Sequence, residues 1–299
     1  MNLSGQENAI KVEQNQIRNK FYSDSLFPEL DAEIAKKDYY EALKIQEINA
    51  LKLSLSDIKS TNPAEQFKVF EELHVAYFTF DYDSAIFYAT KMMDIAYSNQ
   101  NPKLIALSKI KISSTMLASG IFSEVKDTLN SVQVSALDTN AKIDYYYLYS
   151  RLFFDMADYY QRSYFFNKYV NLGLQYLDSA LLISKENSAR YYSLKGLHYV
   201  REGNIKTAIQ TYQTLFNEYK IVGKQFAIDG CTYAYALELY KNYDEAMVYL
   251  AQAAIEDIKI ANKENVALIN LSDLLYNQGY IIESSKYLNV AFDDASQYG

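Results

Sequence analysis

The fold is decided by the stretch at residues 189–219, ARYYSLKGLHYVREGNIKTAIQTYQTLFNEY. Its key positions run in the order small residue, aromatic residue, turn glycine, small residue and aromatic residue, and they are filled by Gly196, Tyr199, Gly203, Ala208 and Tyr212. Small residues let two helix backbones approach closely, and aromatic rings fill the space left beside the contact. Glycine at the turn adopts a conformation that other residues adopt only at a cost. The stretch therefore predicts two antiparallel helices joined by a short turn.

Part of this pattern recurs along the chain. A large apolar residue lies three positions before a small or β-branched one in the pairs Tyr82–Ala85, Phe122–Val125, Ile205–Ala208, Tyr243–Ala246 and Ile281–Ser284. A glycine lies two positions before the large residue in three of these pairs, namely Gly120, Gly203 and Gly279. The large residues are 40, 83, 38 and 38 positions apart, so the longest gap holds one irregular unit. In that unit Asp178-Ser179-Ala180 repeats Asp83-Ser84-Ala85, which predicts a second helix centred near residue 180.

A period near 40 of this kind is typical of stacked helical hairpins, and the order of small and aromatic residues at 189–219 is that of the tetratricopeptide consensus. The sequence therefore predicts an all-α protein, a right-handed α-solenoid of degenerate tetratricopeptide-like helical hairpins. Nine Gly and three Pro in 299 residues are few for a β-sandwich or an α/β enzyme of this size, which also favours helices with short connections.

Three segments are expected. Residues 1–26 are polar and show no lasting periodicity, which predicts a flexible N-terminal tail. Residues 27–62 have apolar residues at helical spacing and are expected to form a helical cap. Residues 63–299 are expected to form the repeat solenoid, with about six helix pairs.

Composition narrows the possible functions. The chain has 37 acidic and 29 basic residues and a net charge of −8, and it has no long basic run. We therefore expect no direct contact with nucleic acid, because such binding depends largely on neutralising phosphates. Cys231 is the only cysteine, which excludes an intramolecular disulfide and a cysteine-cluster metal site. The N-terminus lacks the apolar core of a signal peptide, and no apolar stretch approaches the length of about 18 residues that a membrane helix needs.

No catalytic motif, metal site or cofactor site is predicted. The chain lacks the sequence patterns of zinc proteases, serine hydrolases, phosphate-binding loops and dinucleotide-binding folds. His74 and His198 are expected to be structural. Paired carboxylates on an aromatic helix leave an α/α-fold glycan hydrolase as a remote alternative.

The candidate ligand-binding residues lie in the irregular unit. Asp144, Tyr147, Arg151 and Asp155 fall at helical spacing on one face of a predicted helix. They are consistent with an ordinary surface salt bridge. They are also consistent with a polar and aromatic rim on the concave face, suited to a peptide or a small ligand, because Tyr and Arg are enriched at binding hot spots.

Several segments resemble a known family. They are Leu30-Asp31 with Ile34, Asp38-Tyr39, Lys44, Ile48 and Leu51-Lys52; Tyr77 with Asp83-Ser84-Ala85 and Tyr88-Ala89; Tyr249-Leu250 with Ala253-Ala254-Ile255 and Asp257-Ile258; and Ala267-Leu268 with Gly279 and Asp293-Asp294-Ala295. Over residues 28–298 the chain resembles the periplasmic tetratricopeptide-like sensor region of a Bacteroidetes family of membrane-bound transcriptional regulators.

The resemblance implies a non-enzymatic sensor that binds a protein, a peptide or a glycan fragment in the periplasm. Such regulators have a signal peptide, a membrane helix and a DNA-binding region outside the sensor, so the chain is expected to be an excised or mature sensor region that reaches the membrane only through a downstream segment. Whether it forms a homodimer is left open. The alternative is a cytoplasmic tetratricopeptide scaffold or peptide-pheromone receptor.

Overall fold

A computed structural model describes residues 26–57 and 62–298, and every regular element in these residues is helical. In chain order the α-helices are α1 Phe27–Ile34, α2 Lys37–Asp57, α3 Pro63–Tyr77, α4 Tyr82–Ser98, α5 Pro102–Ala118, α6 Phe122–Asn130, α7 Thr139–Tyr159, α8 Phe166–Ile183, α9 Ala189–Glu202, α10 Ile205–Glu218, α11 Gly223–Leu239, α12 Tyr243–Lys259, α13 Val266–Asn277 and α14 Ile281–Tyr298. A short 3-10 helix, Val134–Ala136, follows α6. The predicted tail at residues 1–26 lies outside the described residues except for Leu26.

The helices fall into two compact units. One comprises Met1–Glu41 and Val222–Phe292, and in its described part it contains α1, the start of α2, α11 to α13 and most of α14. The other comprises Ala42–Ile221 and Asp293–Gly299, and it contains the rest of α2, helices α3 to α10 and the last described residues of α14.

The repeated pair of large and small residues coincides with helix starts. The second helices of five hairpins begin at the large residue of the pair, at Tyr82, Phe122, Ile205, Tyr243 and Ile281. The partner three positions later is buried in every case, at Ala85, Val125, Ala208, Ala246 and Ser284. A small or β-branched side chain at this position allows the second helix to pack closely against its neighbours.

The turns before three of these helices need a left-handed backbone. Gly120, Gly203 and Gly279 have φ angles of +73°, +88° and +84°. Residues other than glycine rarely adopt such φ angles. Because glycine adopts them readily, the turn can be short at these positions.

Close backbone approach explains a second kind of glycine. A Cβ atom at Gly196 in α9 would lie 2.6 Å from the ring of Tyr212 in α10, and that ring is fully buried. In the irregular unit the roles of the helices are exchanged, because Gly173 in α8 lies against the ring of Phe154 in α7. Each of these two hairpins thus pairs a glycine on one helix with an aromatic ring on the other.

The irregular unit differs from the sequence prediction in one respect. The triplet Asp178-Ser179-Ala180 resembles residues near the start of α4, which led us to expect a helix centred near residue 180. That expectation is wrong, because α8 spans Phe166–Ile183 and the triplet lies near its C-terminal end. Asp178 serves a different purpose there, since its carboxylate contacts His198 of α9.

In the unit that contains the first described helix, α1 packs on α12. Phe27 and Leu30 of α1 are almost completely buried, and the ring of Phe27 lies 6.2 Å from that of Tyr287 in α14. The hydroxyl of Tyr287 donates a hydrogen bond of 3.0 Å to Asp31, which also pairs with Lys286. Residues that are far apart in sequence therefore share one core.

Candidate ligand-binding site

Helix α7 presents the four predicted binding residues. Asp138 caps its N-terminus by accepting a hydrogen bond from the backbone N–H of Ala141, and the helix then continues for 21 residues. Asp144, Tyr147, Arg151 and Asp155 lie along one stripe of this helix because their spacing of three or four residues matches the helical period. None of the four is fully buried.

One end of the stripe is bridged by an arginine from α9. The Nη2 atom of Arg190 lies 2.8 Å from Oδ1 of Asp144. The same guanidinium lies 4.9 Å from the centre of the Tyr147 ring. Arg190 therefore combines an ion pair with a cation–π contact, and it engages two of the four predicted residues.

The other end is bridged in the same manner. Arg201 of α9 donates two hydrogen bonds, of 2.8 and 2.9 Å, to the two carboxylate oxygens of Asp158. Its guanidinium lies 4.8 Å from the centre of the Phe154 ring. A two-point contact of this kind fixes the direction of both side chains more strongly than a single ion pair does.

Between the two bridges, Arg151 and Asp155 of α7 form a looser ion pair with an Nη2–Oδ2 distance of 3.8 Å. Burial raises the pKa of Asp155, and the nearby Asp158 raises it further, whereas Arg151 and Arg201 lower it. The arginine side chain is 40% exposed and the carboxylate 33% exposed, so both remain accessible from solvent. We call this row, with Asp144, Tyr147, Arg151, Asp155 and Asp158 of α7 and Arg190 and Arg201 of α9, the α7–α9 seam.

The histidines lie in other contacts. His198 of α9 contacts Asp178 of α8 at 2.9 Å and Glu202 at 4.0 Å, so the imidazole links two helices. His74 of α3 is buried and lies 2.9 Å from the hydroxyl of Thr115 in α5. Among residues 26–57 and 62–298, no group of three or more His, Cys, Asp or Glu side chains is placed to hold a metal ion.

Sequence reasoning missed the partners on α9 and the role of Asp158. Arg190 and Arg201 are three helical turns apart on α9, and Asp144 and Asp158 are four turns apart on α7. Opposite charges spaced along the first helices of two successive hairpins are a sequence signal for ion pairs between those helices. The signal becomes specific only when the register between those helices is known.

Chemically, the seam offers alternating charges beside aromatic faces. Guanidinium groups can bind carboxylate or carbonyl oxygens, carboxylates can accept hydrogen bonds from hydroxyl or amide groups, and Tyr147 offers a ring face. The seam is therefore suited to holding a polar ligand by several directional contacts.

In the described part of the chain, no helix is both long and apolar enough to cross a lipid bilayer.

Comparison with known proteins agrees with this fold. A family model described as the SusR N-terminal TPR domain matches residues 34–299, and no curated protein matches the chain. The prediction of an all-α fold built from tetratricopeptide-like hairpins is confirmed. Tetratricopeptide domains form a non-enzymatic protein-interaction fold, which favours binding over catalysis. Because the match covers most of its length, the chain belongs to the SusR N-terminal TPR domain family.

Proposed function

We propose that this chain is the sensor module of a membrane-bound transcriptional regulator and that it binds a peptide, a glycan fragment or a partner protein at the α7–α9 seam. Family membership supports the sensor role. The observation that carries the location is the pair of arginine bridges, which leave Arg151 and Asp155 accessible between them.

Binding at this place would act on the packing of α7 against α9. A ligand that supplies its own carboxylate, carbonyl or hydroxyl groups competes with Asp144 and Asp158 for the two arginines. A ligand changes a conformational equilibrium only by binding one arrangement better than the other. We propose that the bridged and unbridged arrangements of these helices are the two states, and that their exchange alters how the repeats pair.

The proposed module is not an enzyme, and neither a metal ion nor a cofactor takes part. No contact with nucleic acid is assigned to this region. Its readout is therefore binding alone, and a test must measure binding rather than turnover.

The first experiment is a thermal-shift screen of the purified chain against short peptides and oligosaccharides. A ligand that binds only the native state raises the melting temperature. The double variant Arg151→Ala/Asp155→Ala is expected to abolish the shift. The matched control is Lys91→Ala/Asp94→Ala, which removes an exposed ion pair of similar length, 3.6 Å, on α4.

Equal loss of the shift in both double variants, or full retention in the seam variant, would refute this location. A bound ligand is also expected to change the small-angle scattering profile. An unchanged profile at saturation would refute the proposed exchange of packing states.

The compartment is a separate part of the proposal. In the native cell, a fusion of alkaline phosphatase after Tyr298 of the complete gene product is expected to be active, because that enzyme needs the oxidising periplasm to form its disulfides. An inactive but intact fusion would favour the alternative, a cytoplasmic scaffold or peptide receptor.

A further inference from the structure

The first helices of two later hairpins, α11 and α13, carry exposed side chains at equivalent positions. Their hairpins are 38 residues apart, so Tyr235 corresponds to Asp273 and Glu238 corresponds to Tyr276. Tyr235 is 53% exposed and Tyr276 is 61% exposed. Leu239 of α11 and Ile269 of α13 are also exposed on this unit. We call these six residues the α11–α13 surface.

The two carboxylates of this surface lie on α11 and α13, which contact each other. Burial raises the pKa of Glu238, and the nearby carboxylate of Asp273 raises it further. Within residues 26–57 and 62–298, neither of the two acids forms an ion pair. The contrast with the α7–α9 seam is plain, because there each carboxylate lies beside an arginine.

The surrounding unit has the same sign of charge. Residues 26–41 and 222–292 contain fourteen Asp and Glu residues against seven Lys residues and no Arg. The field around the surface therefore attracts cations and repels anions. Charge complementarity selects a basic partner.

The length of the surface and its tyrosine rings place a second requirement on the partner. Val266, Ile269, Asp273 and Tyr276 form one stripe on α13. Ten residues of helix span about 15 Å. That length equals about five residues of extended polypeptide. Tyrosine rings beside carboxylates suit a lysine or arginine side chain, because the ring faces attract the cation and its methylene groups cover apolar surface.

We propose that the α11–α13 surface binds an extended polypeptide segment in which lysine or arginine residues alternate with apolar residues. The basic side chains lie between Tyr235 and Tyr276 and pair with Glu238 and Asp273. The apolar side chains contact Leu239 and Ile269. This surface is separate from the α7–α9 seam, and the inference does not depend on the function proposed there.

The test is fluorescence anisotropy with two short labelled peptides, one alternating lysine with valine and the other alternating glutamate with valine. The lysine peptide is expected to bind and the glutamate peptide is not. The double variant Glu238→Gln/Asp273→Asn is expected to weaken binding by about fivefold or more and to reduce its dependence on salt.

The matched control is Glu29→Gln/Asp244→Asn, which removes the same charge from two other exposed positions of the same unit. This control is expected to bind as the unchanged chain does. Equal weakening by both double variants would overturn the proposal, because only general attraction to an acidic protein would then remain. A further variant, Tyr276→Ser, keeps every charge and is expected to weaken binding as well.

Competition defines the class of ligand. The diamine putrescine is expected to displace the lysine peptide only at a large excess, because it makes no apolar contact with Leu239 or Ile269. Displacement by putrescine at concentrations close to those of the peptide itself would overturn the assignment to a polypeptide.

Discussion

Asp257 is a buried acid whose negative charge destabilises the fold. It lies in α12, is 2% exposed, and accepts a hydrogen bond of 2.6 Å from the side-chain amide of Asn262. Burial raises its pKa to about 7, although the bond from Asn262 lowers it. In the unfolded chain an aspartate titrates near pH 4, at about 3.9. The native state therefore holds a proton that the unfolded state releases, and stability falls as the pH rises from about 4 through 7.

The variant Asp257→Asn is expected to remove this loss. Its free energy of unfolding should equal that of the unchanged chain at pH 4 and exceed it at pH 8 by on the order of 3 kcal/mol. Urea unfolding across this pH range measures the difference. If the two proteins lose stability in parallel as the pH rises, the buried acid does not have the assigned role.

A second prediction at the level of one residue concerns the substitution of Gly196. An added methyl group would press on the buried ring of Tyr212, so Gly196→Ala is expected to destabilise the chain by about 1–3 kcal/mol. The double variant Gly196→Ala/Tyr212→Leu should be less destabilised than the sum of the two single changes, because the clash is removed. Additive losses in urea melts would contradict the contact.

At the scale of elements, the two arginine bridges connect α7 with α9, beside an apolar core that the two helices share. Arg201→Ala removes a two-point ion pair and the contact with Phe154, and it is expected to cost about 1–2 kcal/mol. Arg201→Lys keeps the charge, and its free energy of unfolding should lie between those of the unchanged chain and of Arg201→Ala. Lys68→Ala, which breaks an exposed 3.7 Å pair on α3, is the control and should cost less than about 0.5 kcal/mol. Equal losses of stability in Arg201→Ala and Lys68→Ala would contradict the special role of the bridge.

The elements themselves are largely readable from local sequence. Asn62 and Pro63 punctuate the chain before α3, and Asn62 accepts the hydrogen bond of the Glu65 N–H that an N-cap requires. Such signals act within a few residues, so a sequence carries them directly. The expected centre of α8 is wrong because a matching triplet, Asp178-Ser179-Ala180, occurs at another register of the helix.

The site is less predictable than the helices. The stripe on α7 follows from spacing within one helix, but its partners Arg190 and Arg201 lie on α9, across an intervening helix in sequence. Periodicity does not give the register between such helices. Whether Asp144, Tyr147, Arg151 and Asp155 bind a ligand stays a prediction.

At the scale of the whole chain, contacts between distant segments complete a core. The hydrogen bond from Tyr287 to Asp31 joins residues 256 positions apart, and no local pattern announces it. Leu30 is fully buried in α1, which packs on α12. This arrangement makes the stability of late repeats depend on an early residue.

Leu30→Ala is therefore expected to destabilise that unit by about 2–5 kcal/mol, as in other buried leucines. Amide hydrogen exchange in α12 should accelerate. Glu29→Ala, an exposed change in the same helix, should leave it unaltered. Unchanged exchange of α12 in the Leu30 variant would show that α1 does not support these repeats.

The most direct test of the account is hydrogen exchange measured with and without the ligand that the thermal-shift screen selects. We predict slower exchange in α7 and α9, and no slowing there in the Arg151→Ala/Asp155→Ala variant. Slower exchange confined to other helices, or no change in α7 and α9 with any compound of the screen, would contradict binding at the α7–α9 seam.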